Sequence, residues 1–557
     1  MIQGALLGLI ALLSIHAVGN WRSGLLSIVL ISALQDPVRK LTPGTPGWLV
    51  LASTPVLAAL IFGSRFSIRG WFSEFRRTFP RVSQSLKLLA LMAVPAALIS
   101  ATYGPGSWML TVFGVFSYGV ILSAVVVGFH FPRGPADVHR LLSAYCVVHG
   151  IAIGGGVLEY LAWFPQWTLL GDEALGFNWV RHEWGYVVEI ICGFYRSGDV
   201  LGWHASAVAM LSLVLALAST GARRWSWLAL SGWAVVALLL CGRRKMVYMM
   251  PLFGAVLIWV FWQAGRAARA WSLAGLLLLP MASVWLVRDW MGDESPQMRY
   301  YTETGHLTLG TVRNQGFNSL LETFEQTGFL GAGLGTAAPG SHQIPAARPR
   351  IWQESGPSRV LVELGVPGAT AFVALLISIA SAMWRATNRQ LRQNTRGGLY
   401  AAGLLAFFAA NIGSLTVSGQ ILADPFISAF LGIQIGMVLA FARPALAPQG
   451  GVATRTPTRP WLVYSATESS SAHESRKARP ARRRDDQDFV APSADAEPSP
   501  QLDLFPDQAA SGVSQLVPHE VDFPLESPPP PEHDPAVQPD LGPERSNATD
   551  GDPHAWH

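Results

Sequence analysis

"LLLCGRRKMVYMMP", Leu238–Pro251, places three consecutive cations between two apolar runs. With only a short polar turn between them, the runs read as two helices of a hairpin. They extend to about 225–241 and 246–263, each near the ~20 residues that cross a hydrocarbon layer about 30 Å thick. The pattern recurs along the chain. Half of the 557 residues are hydrophobic, 14% are charged and 21 are Trp, whereas a soluble domain carries about a quarter charged residues. The sequence predicts an all-α, polytopic transmembrane bundle. Its spans fall near 3–19, 23–35, 46–63, 86–102, 108–130, 139–162, 200–219, 225–241, 246–263, 270–288, 358–383, 398–418 and 421–441. The second is short and reads equally as half of a bent hairpin with the first, so the total is about 12 or 13. Met1–Ile10 lacks a basic leader and a small-residue cleavage site and reads as a retained helix. The net charge of +4 carries no nucleic-acid meaning in such a chain. Cys146, Cys192 and Cys241 have no metal-ligand spacing.

Loop charge sets the orientation. "SRFSIRGWFSEFRRTFPRVSQSLK" (64–87) carries Arg65, Arg69, Arg76, Arg77, Arg81 and Lys87 against Glu74 alone and reads as cytoplasmic. So do "FPRGPADVHR", "GARRW", "QAGRAARA" and "WRATNRQLRQNTRGG". Alternation then turns outward "TYGPGS", the loops near 163–199 and 289–357, and "VSGQ". It also turns outward "GRRK" (242–245), against the usual bias. Two readings of that turn stand: an outer cation cluster that meets something anionic, or an inner anchor displaced by one miscounted span. Residues 1–443 form the membrane domain on this reading. Residues 444–557, rich in Pro, Ser, Ala and Asp, with a basic run Arg476–Arg484, read as a disordered cytoplasmic tail.

Ionisable groups inside the expected spans are few: His16, His149 and, near an outer end, Glu159. That disfavours a transport path and moves attention to the outer loops. Arg196, Asp199 and His204 stand where the first long loop enters its next span, and an arginine there serves either as a phosphate fork or as an anchor paired with Asp199. The second long loop carries Arg299 and Arg313 as anion contacts. Its "LETFEQTGFLGAGLGT" reads as a short amphipathic helix followed by a turn in which Gly331, Gly333 and Gly335 allow positive φ and close approach. Glu354 and Arg359 precede the next span and Glu363 lies about a turn inside it; an acidic residue there is either a general base or half of an ion pair.

Four pieces, "FYRSGDVLGWHA", "LLLCGRRKMVYM", "TVRNQGFNSLLETFEQTGFLGAGLGT" and "ESGPSRVLVELGVPG", in this order resemble the O-antigen ligase/polymerase superfamily, bacterial membrane glycosyltransferases of the GT-C type. The resemblance covers about 190–370 and the span pattern. It implies glycosyl transfer at the periplasmic face of the inner membrane, from an undecaprenyl-pyrophosphate-linked glycan to a sugar hydroxyl, with no metal and no cofactor. In the family, arginines grip the pyrophosphate and a histidine activates the acceptor. Carried over, Arg196, Arg243 and Arg313 match the arginine positions, with Arg244 as a substitute for Arg243. Nine residues before Glu363, the histidine position holds Glu354, with His342 nearby, and the family's Pro-Asn reads Trp203-His204.

The expected catalytic set is therefore Glu354, Arg243 and Arg313. The expected substrate contacts are Arg196, Arg244, Arg299, Arg359 and His342. The expected partners are the lipid-linked donor, an acceptor glycan or glycolipid, membrane lipid and, through the tail, polysaccharide-assembly proteins; nucleic acid is not among them. Two rivals remain: a transporter or flippase of the same lipid-linked glycan, which needs a polar path through the membrane, and a non-catalytic partner of an export complex.

Overall fold

The computed structural model describes residues 2–63, 68–164, 166–171, 180–183, 186–275, 313–338, 355–393 and 396–443, with isolated positions between them. The chain divides into Met1–Thr456 and Pro457–His557, and all described residues belong to the first unit. The expected span 270–288 lies mostly outside them, as do Arg299, His342, Glu354 and the tail 444–557.

The architecture is an all-α membrane bundle. Helix α1 (Ile2–Gly19) meets α2 (Trp21–Leu41) at Asn20, whose side chain accepts a hydrogen bond from the Ser23 N–H and so starts the new helix. At 21 residues α2 is longer than the expected 23–35 and continues past its expected end to include Asp36 and Pro37. α3 (Thr54–Gly63), α4 (Ile68–Thr78), α5 (Pro80–Ala101) and α6 (Trp108–His130) follow. The expected span 139–162 is split into α7 (Pro135–Ala152) and α8 (Gly154–Tyr160). Within the first long loop, β1 (Val180–Glu183) pairs antiparallel with β2 (Tyr186–Glu189), Val180 facing Glu189 and Glu183 facing Tyr186. Then come α9 (Gly198–Ala218), α10 (Ala222–Leu240), the short α11 (Arg244–Val247) and α12 (Met249–Gln263). Beyond the undescribed stretch lie α13 (Ser319–Thr327), α14 (Gly356–Arg392), α15 (Arg396–Leu415), the short α16 (Gln420–Ala423) and α17 (Pro425–Ala440). Among the described residues, eight helical stretches are long and apolar enough to cross a membrane, and Gly47–Gly63 and Pro425–Ala440 are shorter apolar ones.

α9 is buried along nearly its whole length and forms the centre. α1 and α5 leave apolar side chains such as Leu12, Ile15, Leu91 and Leu98 exposed, the signature of a face against lipid. α6 and α17 approach backbone to backbone at small residues, as membrane helices do without a hydrophobic drive between them.

Helix ends sort into two groups. At one, Glu74 meets Arg443 (3.4 Å) and His130 (3.7 Å), His139 Nδ1 meets Tyr400 OH (2.8 Å), and Arg266 donates to Leu391 O (2.6 Å). This end carries most of the described arginines and corresponds to the loops expected in the cytoplasm. The described parts of the two long loops, "TYGPGS", "VSGQ" and the GRRK turn lie at the other.

The loop after α13 explains the break in α14. Gly365 leaves the helix (φ 65°, ψ −174°). This frees the Val362 carbonyl and the Val366 N–H, and the loop takes both: Ala332 N–H donates to Val362 O (2.7 Å) and Val366 N–H to Phe329 O (2.9 Å). Past this contact the Gly331–Gly335 stretch wedges between α5 and α6, with Leu334 N–H on Ala96 O (3.0 Å) and Tyr103 OH on Ala332 O (2.8 Å). A Cβ on Gly335 would stand 1.9 Å from Leu110 O. Positive φ and close approach, expected of this alternation, serve to pack the bundle.

Candidate functional site at the loop-bearing end

Residues 190–199 form the platform of this end. Lys40, near the end of α2, is buried and donates to Gly193 O (2.6 Å), Gly171 O (3.0 Å) and Cys192 Sγ (3.2 Å). Glu159 of α8 accepts from the Gly193 and Cys192 N–H groups (2.5 and 3.1 Å). Ser197 then caps α9 by accepting from Val200 N–H.

Arg196 stands at the centre. Its guanidinium bonds Asp36 of α2 (3.2 Å) and Asp424, the cap of α17. Burial opposes the charge, but Asp36 and then Asp424 outweigh it, and the guanidinium holds its proton more tightly than an ordinary arginine. The expected pairing with Asp199 is not the one observed. The fork expected for a phosphate is occupied by two carboxylates, both almost fully buried.

Asp199 serves the GRRK turn instead. Gly242 turns the chain with φ 70° and brings it beside Glu189 O of β2. Arg243 Nε lies 3.4 Å and Lys245 Nζ 3.0 Å from Asp199 Oδ1. Arg244 is buried next to them. Ser206 of α9 donates to Met246 O (2.8 Å), fixing α11 on the central helix. Arg196, Arg243, Arg244 and Lys245 thus flank the first turn of α9.

Arg359 is only 2% exposed and Glu363 fully buried. Arg359 Nε bonds Glu363 Oε1 (3.2 Å) and its Nη2 donates to Ser117 Oγ (2.9 Å), which donates to Leu422 O (2.6 Å). α16 therefore links this pair to Asp424 and Arg196. Arg313 opens a π-helical turn, Arg313–Asn318, and is exposed. Of the expected site residues, Arg243 and Arg244 share the GRRK turn, Arg243 facing Asp199 in the first turn of α9. Arg196 precedes that helix by two residues, with its guanidinium held by Asp36 and Asp424. Arg359 is linked towards Asp424 and Arg196 through Ser117 and α16, and Arg313 is exposed on the second long loop.

Sequence reasoning named His149 and His204 singly but missed the polar network that joins them beneath Arg196. Ser32 Oγ donates to Val29 O (2.7 Å), so it accepts from His149 Nε2 (3.1 Å). His149 Nδ1 pairs with Tyr195 OH (3.0 Å). His204 stacks on His149 (centroids 4.1 Å, 8°) and pairs with Tyr145 OH (2.9 Å). Asp36-Pro37 and Asp424-Pro425 were the available signals: an Asp before Pro inside apolar sequence is a cap or a buried partner. Among the described residues no group of three His, Cys, Asp or Glu could hold a metal ion.

Comparison with protein-family models finds no match to this chain. Comparison with curated proteins finds none either.

Proposed function

We propose that the chain is a glycosyltransferase of the inner membrane, acting at its periplasmic face. It moves glycan from an undecaprenyl-pyrophosphate carrier to a sugar hydroxyl during polymerisation or ligation of a surface polysaccharide. The observation that carries this reading is the grouping of Arg243, Arg244 and Lys245 beside α9, at the end opposite the arginine-rich one. The positive-inside rule turns the arginine-rich end, and the tail with it, to the cytoplasm, and so the GRRK turn outward. Cations retained against that rule suit a pyrophosphate leaving group, whose developing charge they stabilise. Arg196 braces α2, α9 and α17 around this place, and Arg313 approaches the donor from the loop. Glu354 deprotonates the acceptor, with His342 as the alternative base. The test is Arg243→Lys beside Arg243→Ala. Lysine keeps the charge but loses the planar fork, so both variants should slow turnover of a lipid-linked oligosaccharide; full activity in both removes the turn from the site.

A second reading, transport of the same lipid-linked glycan, draws on one observation. Asp36, Asp424 and His204 join His149 among the buried groups and give the bundle interior more ionisable side chains than the sequence led us to expect.

A further inference from the structure

Helix α4 lies at the arginine-rich end, joining the end of α3 to the start of α5, and its two sides differ sharply. One side packs on the bundle. Trp71 stacks on His130 (centroids 3.8 Å, 20°) and sets its edge on Trp21 (5.2 Å), and Phe75, 1% exposed, packs edge-on against Phe129 (5.5 Å). Glu74, the acidic residue of this segment, is taken by Arg443 and His130. The other side bears Arg76 and Arg77, both exposed, and the chain turns at once into α5, where Arg81 and Lys87 are exposed too. None of these four cations has a carboxylate partner among the described residues. Arg81 also sits in the first turn of α5, which has no acidic residue and no side-chain cap at Phe79. A cation there opposes the helix dipole and an anion would relieve it.

An elbow of exposed cations fixed by aromatic packing at the end of membrane spans fits anionic headgroups of the surrounding bilayer. Charge complementarity supplies the attraction and the aromatic side supplies the rigidity. We propose that the α4–α5 elbow is a docking site for anionic phospholipid, with Arg76, Arg77 and Arg81 gripping the headgroup phosphate and Lys87 reaching up to it along α5. This site is at the opposite end from the proposed chemistry and does not depend on it.

The test uses the full chain in nanodiscs of mixed phosphatidylglycerol and phosphatidylcholine with identical acyl chains. Lipid retained on release into the gas phase is counted by native mass spectrometry. The wild type should retain phosphatidylglycerol preferentially. The Arg76→Gln/Arg77→Gln/Arg81→Gln variant should lower that preference by about 10²-fold, three cations at roughly fivefold each, with unchanged melting in phosphatidylcholine alone. Arg223→Gln/Arg224→Gln, exposed cations at the same end, should leave it intact. An equal fall in both variants would show diffuse surface charge and overturn the site. So would a preference that survives the triple change and disappears when Arg476, Arg479 and Arg482–Arg484 of the tail are replaced.

Discussion

Gly335→Ala probes the wedge that joins the second long loop to the bundle. Gly335 has φ 81°, and a Cβ there would meet Leu110 O at 1.9 Å, Leu110 C at 2.8 Å and Gly114 N at 3.0 Å. All three are helix backbone, which cannot swing aside as a side chain can. The left-handed backbone alone costs an L-residue about 1–2 kcal/mol, and forcing atoms into a filled space adds about 1–3 kcal/mol. Gly340 supplies the control, since its φ is 80° but nothing lies within 4 Å of the added carbon. Gly340→Ala should therefore lose only the backbone part, about 1–2 kcal/mol, while Gly335→Ala loses roughly 2–5 kcal/mol. The assay is equilibrium unfolding of the purified protein in mixed micelles, followed by tryptophan fluorescence. Equal losses in the two variants would refute the wedge and leave the glycine alternation as a conformational feature only.

Three further outcomes follow from the same structure. Arg196→Ala should cost about 3–5 kcal/mol, since it leaves Asp36 and Asp424 buried and uncompensated; adding Asp36→Asn and Asp424→Asn should return part of that loss in the same unfolding assay. Lys245→Cys should react with an impermeant thiol reagent in intact spheroplasts and Arg224→Cys only after lysis. The three native cysteines are fully buried and should stay silent; the reverse pattern would invert the orientation. Glu354→Gln should slow turnover about 10²–10⁴-fold while donor binding persists, and unchanged turnover would pass the role of base to His342.

What the sequence made legible was whatever depends on local runs. Apolar length placed the helices, including the hairpin around GRRK, because spanning a bilayer is a property of consecutive residues. Gly328, with φ 68°, ends the amphipathic helix α13 where "TGFLGAG" reads as a turn. Pairings across the chain were not legible. Arg196 meets partners 160 and 228 residues away, and no spacing rule links such positions. Asp199, the neighbour that local reading offered to Arg196, instead balances Arg243 and Lys245. The β-hairpin was hidden for another reason: "VRHEWGYVVE" is too short and too polar to stand out beside membrane helices. His204 and His149 looked like isolated polar residues, because stacking depends on how α7 and α9 pack, and the sequence of either helix alone says nothing of it.

The proposed function requires chemical transfer at the loop-bearing end. Its most direct test is purified full-length protein in proteoliposomes containing undecaprenyl-pyrophosphate-linked oligosaccharide, with glycan length and carrier release measured together. Transfer should give longer or transferred glycan with one carrier pyrophosphate freed per bond formed, and Arg243→Ala should lose both signals. Donor that crosses the bilayer unaltered, with no glycosidic bond formed by a folded protein, would contradict it.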